Sequence, residues 1–182
     1  MDVEYDEGKF IEMLLYIASR LRDDRAGGAT KLNKALYFAD FAHVRRHGRP
    51  ITGAVYQKLE RGPAPRRLVP VRQHLVASGD AEIVREDFLG YEQHRLIPLR
   101  EPEVAMFSAE ELDTIDSVLD DLDGMTGAQV SELSHEEPPW RYSEFGESIR
   151  YETALIAKEQ FVTPAAHEMA QRVAVRYGLA TE

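Results

Sequence analysis

Not one cysteine occurs among the 182 residues. That absence excludes disulfide scaffolds, zinc–thiolate centres and thiol nucleophiles, and it fits a reducing compartment. The chain opens Met1-Asp2-Val3-Glu4, without the basic and then apolar character of an export signal. No apolar run approaches the ~20 residues that a membrane span needs. A soluble, cytoplasmic protein without membrane attachment is therefore expected. Glycine-rich phosphate loops are missing too. Neither Gly-x-x-x-x-Gly-Lys-Ser/Thr nor Gly-x-Gly-x-x-Gly is present, and there is no Gly-x-Ser-x-Gly nucleophile elbow. Tryptophan occurs once.

What is present is enough for a core. Hydrophobic residues make up 43% of the chain, and its length suits one domain that folds without staples. The net charge of −10 is unevenly spread. Residues 41–100 hold 11 Lys or Arg against 6 Asp or Glu, whereas residues 101–182 hold 5 against 18. An acidic protein is a poor general binder of nucleic acid, because phosphate contacts dominate that affinity. The basic middle keeps a local contact in play.

Periodicity places the elements. Phe10, Leu14, Ile17 and Leu21 recur at helical spacing, and Gly27 and Gly28 suit the stop. Residues 31–48 are apolar nearly all round, as in a buried central helix, with Thr30 as the expected cap and Gly48 and Pro50 at the end. Residues 51–60 read as extended and "RGPAP" (61–65) as a rigid turn. Residues 66–79 read as a helix that Pro70 starts late or kinks. A hairpin is expected over 81–99, turning at Leu89-Gly90. Ser108 and Glu111 form a capping box for a helix with Leu112, Ile115, Leu119 and Leu122 on one face. A short helix follows over 126–135, then an extended start at 146 and a terminal helix over 163–178, within a C-terminal segment 157–182. The class is α+β and mainly helical: a single compact domain, 1–182, of about six helices with a small β-hairpin or short sheet.

Candidate chemistry is sparse. Asp40, His43 and His47 share one sector of a helix and could ligate a metal, although three ligands on one helix lack a fourth. Ser134 and His135 are adjacent, so a helix turns them to different faces and no nucleophile–base pair results. The carboxylates of 110–121 read as a solvated face. A metal-dependent enzyme is the weakest reading, and no enzyme is expected. A second reading is a DNA-binding regulator. A helix followed by a hairpin has a winged-helix outline, and Arg45, Arg46, Arg49, Lys58, Arg61, Arg66, Arg67, Arg72 and Arg85 could reach phosphates.

Four segments in order carry a resemblance: "KLNKALYFADF" (31–41), "YQKLERGPAPRRL" (56–68) with "LVASGD" (75–80), "LSHEEPPW" (133–140), and "GESIRYETA" (146–154). Together they resemble the Panacea domain of SocA-like antitoxins, over roughly residues 8–156. The chain departs from the usual pattern at Asn33, Ala35, Ala64 and Pro70. The resemblance implies a type II antitoxin, usually bacterial and at times near phage genes. Such a protein neutralises a cognate toxin encoded by an adjacent gene through direct binding. The prototype also acts as a proteolytic adaptor to an ATP-dependent protease. No catalytic residue, cofactor or metal is implied.

The motif residues are Lys31, Leu32, Tyr37, Phe38, Asp40, Tyr56, Gly62, Pro63, Ser134, His135 and Trp140. Gly62 and Pro63 are expected to shape a turn, and Tyr37 and Asp40 to serve the core. In the Ser-His-x-x-x-x-Trp stretch, Leu133 and Trp140 are expected to fasten a short helix. Pro138 and Pro139 would fix its approach, and His135 would hydrogen-bond a neighbouring backbone or carboxylate group. Two surfaces suit a toxin. One is the acidic helix with Glu110, Asp113, Asp116, Asp120 and Asp121. The other, preferred here, is the motif surface with Arg61, Arg66, Arg67 and Trp140, where a DNA contact would also fall.

Overall fold

The computed structural model describes residue 1, residues 3–156 and residue 172. The expected terminal helix over 163–178 lies outside them, apart from residue 172. The described residues form a compact, mainly helical α+β fold. Its elements run α1 (Glu7–Arg20), α2 (Ala29–His47), β1 (Tyr56–Leu59), β2 (Gly62–Pro65), α3 (Leu68–Ser78), β3 (Ala81–Phe88), β4 (Tyr91–Pro98), α4 (Ala109–Asp121), α5 (Gly127–His135) and α6 (Pro138–Arg141). A 3-10 turn spans Tyr151–Leu155.

α2 is the axis. From Lys31 to Val44 every residue but Asn33 is buried, as its all-round apolar composition requires. α1, α4, α5, β2 and the 3-10 turn at 151–155 all pack against it. Thr30 does not cap it. The N-cap is Gly28, without a side-chain bond, and Gly48 ends the helix at φ 74°. α4 begins with the Ser108–Glu111 capping box, and α5 with a second one formed by Thr126 and Gln129. Pro70 falls in the first turn of α3, where its missing N–H costs nothing.

The β3–β4 hairpin pairs Ala81 with Pro98 through to Phe88 with Tyr91, and turns at Leu89-Gly90. The "RGPAP" segment is a correction. Gly62–Pro65 is a strand antiparallel to β1, with Tyr56 opposite Pro65 and Lys58 opposite Pro63; only Glu60 and Arg61 turn. Pro63 and Pro65 are two residues apart, so their missing donors share one side of an edge strand, where proline is tolerated. The far edge of β1 is also used. Lys58 N donates to Glu147 O at 3.0 Å, and Ile149 N donates to Tyr56 O at 2.8 Å.

Asp40 ties α2 to the chain that leaves it. Its Oδ1 accepts from Ile51 N at 2.9 Å and Thr52 N at 2.8 Å, and its Oδ2 accepts from Thr52 Oγ1 at 2.6 Å and Tyr56 Oη at 2.8 Å. Tyr151 Oη donates to Ala54 O at 2.7 Å beside it. Burial pushes the Asp40 carboxyl above its usual range, against the pull of these donors. Replacing Asp40 by Ala orphans several buried donors at once, each worth roughly 1–3 kcal/mol. Asp40→Ala should therefore lose about 3–5 kcal/mol in urea unfolding. A loss below about 1 kcal/mol would show that water replaces the carboxylate.

Candidate functional site

The motif segments converge on the β1–β2 hairpin from three directions. From α2, Lys34 Nζ donates to Pro63 O at 2.8 Å. From α5, Ser131 Oγ donates to Arg61 O at 2.7 Å. From α6, Trp140 Nε1 reaches Leu59 O at 3.4 Å. The stretch 146–149 closes the far edge of β1. Gly62 is required where these elements meet. It sits at φ 91°, and a Cβ there would come within 2.5 Å of Ser134 Oγ and 2.9 Å of Lys34 Nζ.

Lys34 was not singled out by sequence reasoning. It is 2% exposed and has no carboxylate partner among the described residues. Its ammonium is held by one carbonyl, and desolvation pushes its pKa down to about 8. The clue lay in "KLNKALYFAD": a helix apolar on every side has no solvent face for its lysines. Lys31 is buried as well, but it donates to Asp24 Oδ2 at 2.6 Å and Met125 O at 2.9 Å.

Other motif residues complete the frame. Leu32, Tyr37 and Phe38 are buried, and the Tyr37 ring lies 4.5 Å from that of Phe41 and 5.7 Å from that of Tyr56. Leu133 and Trp140 pack against the core. Pro138 opens α6. His135 does not hold the loop by its Nε2, which is buried without a hydrogen-bond partner. Its ring instead stacks on Trp140 at 4.2 Å and 26°. Lys58 Nζ lies 4.2 Å from the Trp140 centroid and 4.8 Å from that of Phe145, and donates to Ser143 O at 2.9 Å. These contacts are cation–π interactions. Phe145 and Tyr142 stay 65% and 57% exposed beside this stack.

The four proposed partner residues are divided by the fold. Arg61 is exposed at the β1–β2 turn, and Trp140 stands behind it. Arg66 reaches Gly146 O at 3.4 Å. Arg67 pairs with Glu7 Oε1 of α1 at 2.7 Å. The acidic face of α4 is partly answered: Asp116 pairs with Arg20, and Asp113 and Glu110 lie near Arg46 and His47. The Asp40, His43 and His47 set does not assemble. Asp40 faces Thr52 and Tyr56, while His43 Nδ1 lies 3.0 Å from Thr114 Oγ1. Among the described residues no group of three potential ligands occurs. Nor is any helix among them long and apolar enough to cross a membrane. The winged outline exists in α3 and β3–β4, but Arg72 is the sole cation on α3, and the hairpin carries Glu82, Glu86, Asp87 and Glu92.

This convergence involves residues from α2 to α6, and that is the span over which the family model of SocA-like antitoxins, the Panacea domain, matches: residues 32–141. The chain belongs to this family. No curated protein and no solved structure matches the chain. The Panacea match is narrower than the span 8–156 expected from the motifs, yet α1 and residues 146–151 pack against the matched core.

The uncompensated Lys34 gives a signed pH dependence. Below about pH 8 both folded and unfolded chains carry the charge, and the fold bears its desolvation. Between about 8 and the ordinary 10.5 the unfolded chain holds the proton more tightly, so stability rises with pH. Lys34→Met should be more stable than the parent at pH 7 by about 1–3 kcal/mol, after about 1 kcal/mol for the lost bond to Pro63. That margin should shrink by pH 10. Urea unfolding of both proteins across this range tests it, and a margin that does not move with pH contradicts a lowered lysine.

Proposed function

We propose that this Panacea domain neutralises a protein toxin encoded beside it by binding the toxin directly, without chemistry of its own. Membership of the antitoxin family supports the antitoxin role. The observation that carries direct binding is the aromatic face on the clamped hairpin. Trp140 and Phe145 gather around Lys58, and Tyr142, two residues on from Trp140, is exposed. Large aromatics are among the usual anchors of protein interfaces. A rigid support also lowers the ordering cost of binding. The DNA-binding reading is less favoured, because α3 presents Val69 and Val76 to solvent rather than a row of cations.

Co-expression with the adjacent reading frame tests the proposal. Growth should stop when that frame is expressed alone and resume with this protein, and the two should co-purify. Tyr142→Ser combined with Phe145→Ser removes exposed side chains only, so the fold should survive. Affinity should fall by about tenfold or more and rescue should be lost. Undiminished rescue by the folded double variant would exclude this face. The toxin's half-life, with and without the host's ATP-dependent proteases, separates simple sequestration from delivery for degradation.

A further inference from the structure

A second surface lies on the other side of the β1–β2 turn. A groove of about 670 Å³ opens between the β3–β4 hairpin tip and the first turn of α5, with the start of α2 also lining it. That volume is within the range of built ligand clefts. Its chemistry is specific. Arg61 from the β1–β2 turn and Arg72 from α3 both line it. Neither has an ion-pair partner among the described residues, and Arg72 Nε is buried without an acceptor. One carboxylate, Glu92, is on the wall, and its Oε1 lies 3.0 Å from His94 Nε2. α2 also begins here without a side-chain cap, which adds the positive end of its dipole.

The rim is apolar where it need not be. Leu89 occupies the turn at φ 53° and is 75% exposed, and Tyr91 is 78% exposed. Two-residue turns with Gly90 at φ 82° ordinarily place Asn, Asp or Gly before it. A branched residue in the left-handed region is strained, and an exposed one gains little from burial within its own chain. Strain of this kind is retained where a partner uses the side chain.

From these features we infer that the groove docks an acidic segment of a protein partner that carries apolar side chains. Its carboxylates meet Arg61 and Arg72, and its apolar groups cover Leu89 and Tyr91. A free anion would satisfy the arginines but leave the apolar rim exposed. A nucleic acid draws its affinity from many phosphate contacts, and on this wall only Arg61 and Arg72 are arginines free to make them. The inference rests on the partner-binding reading of this protein and adds the chemistry of what is bound.

The test uses the full chain and three fluorescent peptides, so it does not depend on the toxin. One alternates glutamate with leucine, one lysine with leucine, and one glutamate with serine. The first should bind saturably, and the other two at least about tenfold more weakly. Arg61→Glu and Leu89→Asn should each weaken the first by about tenfold, as should Arg72→Gln. Leu89→Asn places a favoured residue in the turn, so its melting temperature should not fall, and lost binding then reports the groove rather than misfolding. Equal binding of the lysine peptide, no saturable binding of the first, or indifference to these substitutions overturns the inference. So does tighter, salt-sensitive binding of a single-stranded oligonucleotide. None of these results bears on toxin rescue, so the two readings fail separately.

Discussion

The structure depends on one constraint: α2 is buried on every side and yet carries Lys31, Lys34, Asp40 and His43 inside the fold. Polar groups in such a place must find partners or cost several kcal/mol. Each finds its partner in a different part of the chain. Lys31 is met by Asp24 and Met125, Lys34 by Pro63, Asp40 by residues 51–56, and His43 by Thr114. Hydrophobic contact alone would allow these segments to slide against α2. Directional bonds to fixed points along one helix set their register, the best-attested use of buried polar groups.

The four anchors differ, and the least compensated charge lies at the hairpin. Asp40 accepts four close donors, whereas Lys34 offers its ammonium to one carbonyl. A buried cation so poorly answered lowers stability, and an apolar side chain of the same length would pack without that cost. What it adds is specificity. Only one strand geometry turns the Pro63 carbonyl toward α2 while Gly62 passes Ser134 too closely for any side chain. The β1–β2 hairpin is thus positioned by sterics and charge together.

Local signals were legible in the sequence and tertiary ones were not. The Ser108–Glu111 box, the Leu89-Gly90 turn and the all-round apolar α2 follow from spacing within a few residues, and all three appear as expected. "RGPAP" reads as a turn because proline and glycine are turn signals, yet it forms a strand because a two-stranded edge tolerates prolines in alternate positions. His135 was expected to use a hydrogen bond and uses its ring face, a choice decided by where Trp140 comes to rest. The arginines of the basic middle form one cluster in sequence but separate in space, because β2 runs between Arg61 in the hairpin turn and Arg66 and Arg67 before α3, which meet different neighbours. Lys34 escaped notice for a related reason. Its partner is 29 residues away, and no local pattern announces a carbonyl as the counterpart of a charge.

Inside the molecule, the departures from local preference that shape the hairpin are answered by other parts of the same chain. Gly62 at positive φ is matched by Ser134, and the prolines of β2 by the open edge on which they sit. At the surface the departures are unanswered. Leu89 holds a left-handed backbone in solvent, Tyr142 and most of the Phe145 ring stay exposed although Phe145 also meets Lys58, and Arg61 has no carboxylate partner among the described residues. These residues flank one rigid hairpin on two sides. Apolar and cationic groups left unmet around a clamped element are what the proposed binding of a protein partner rests on.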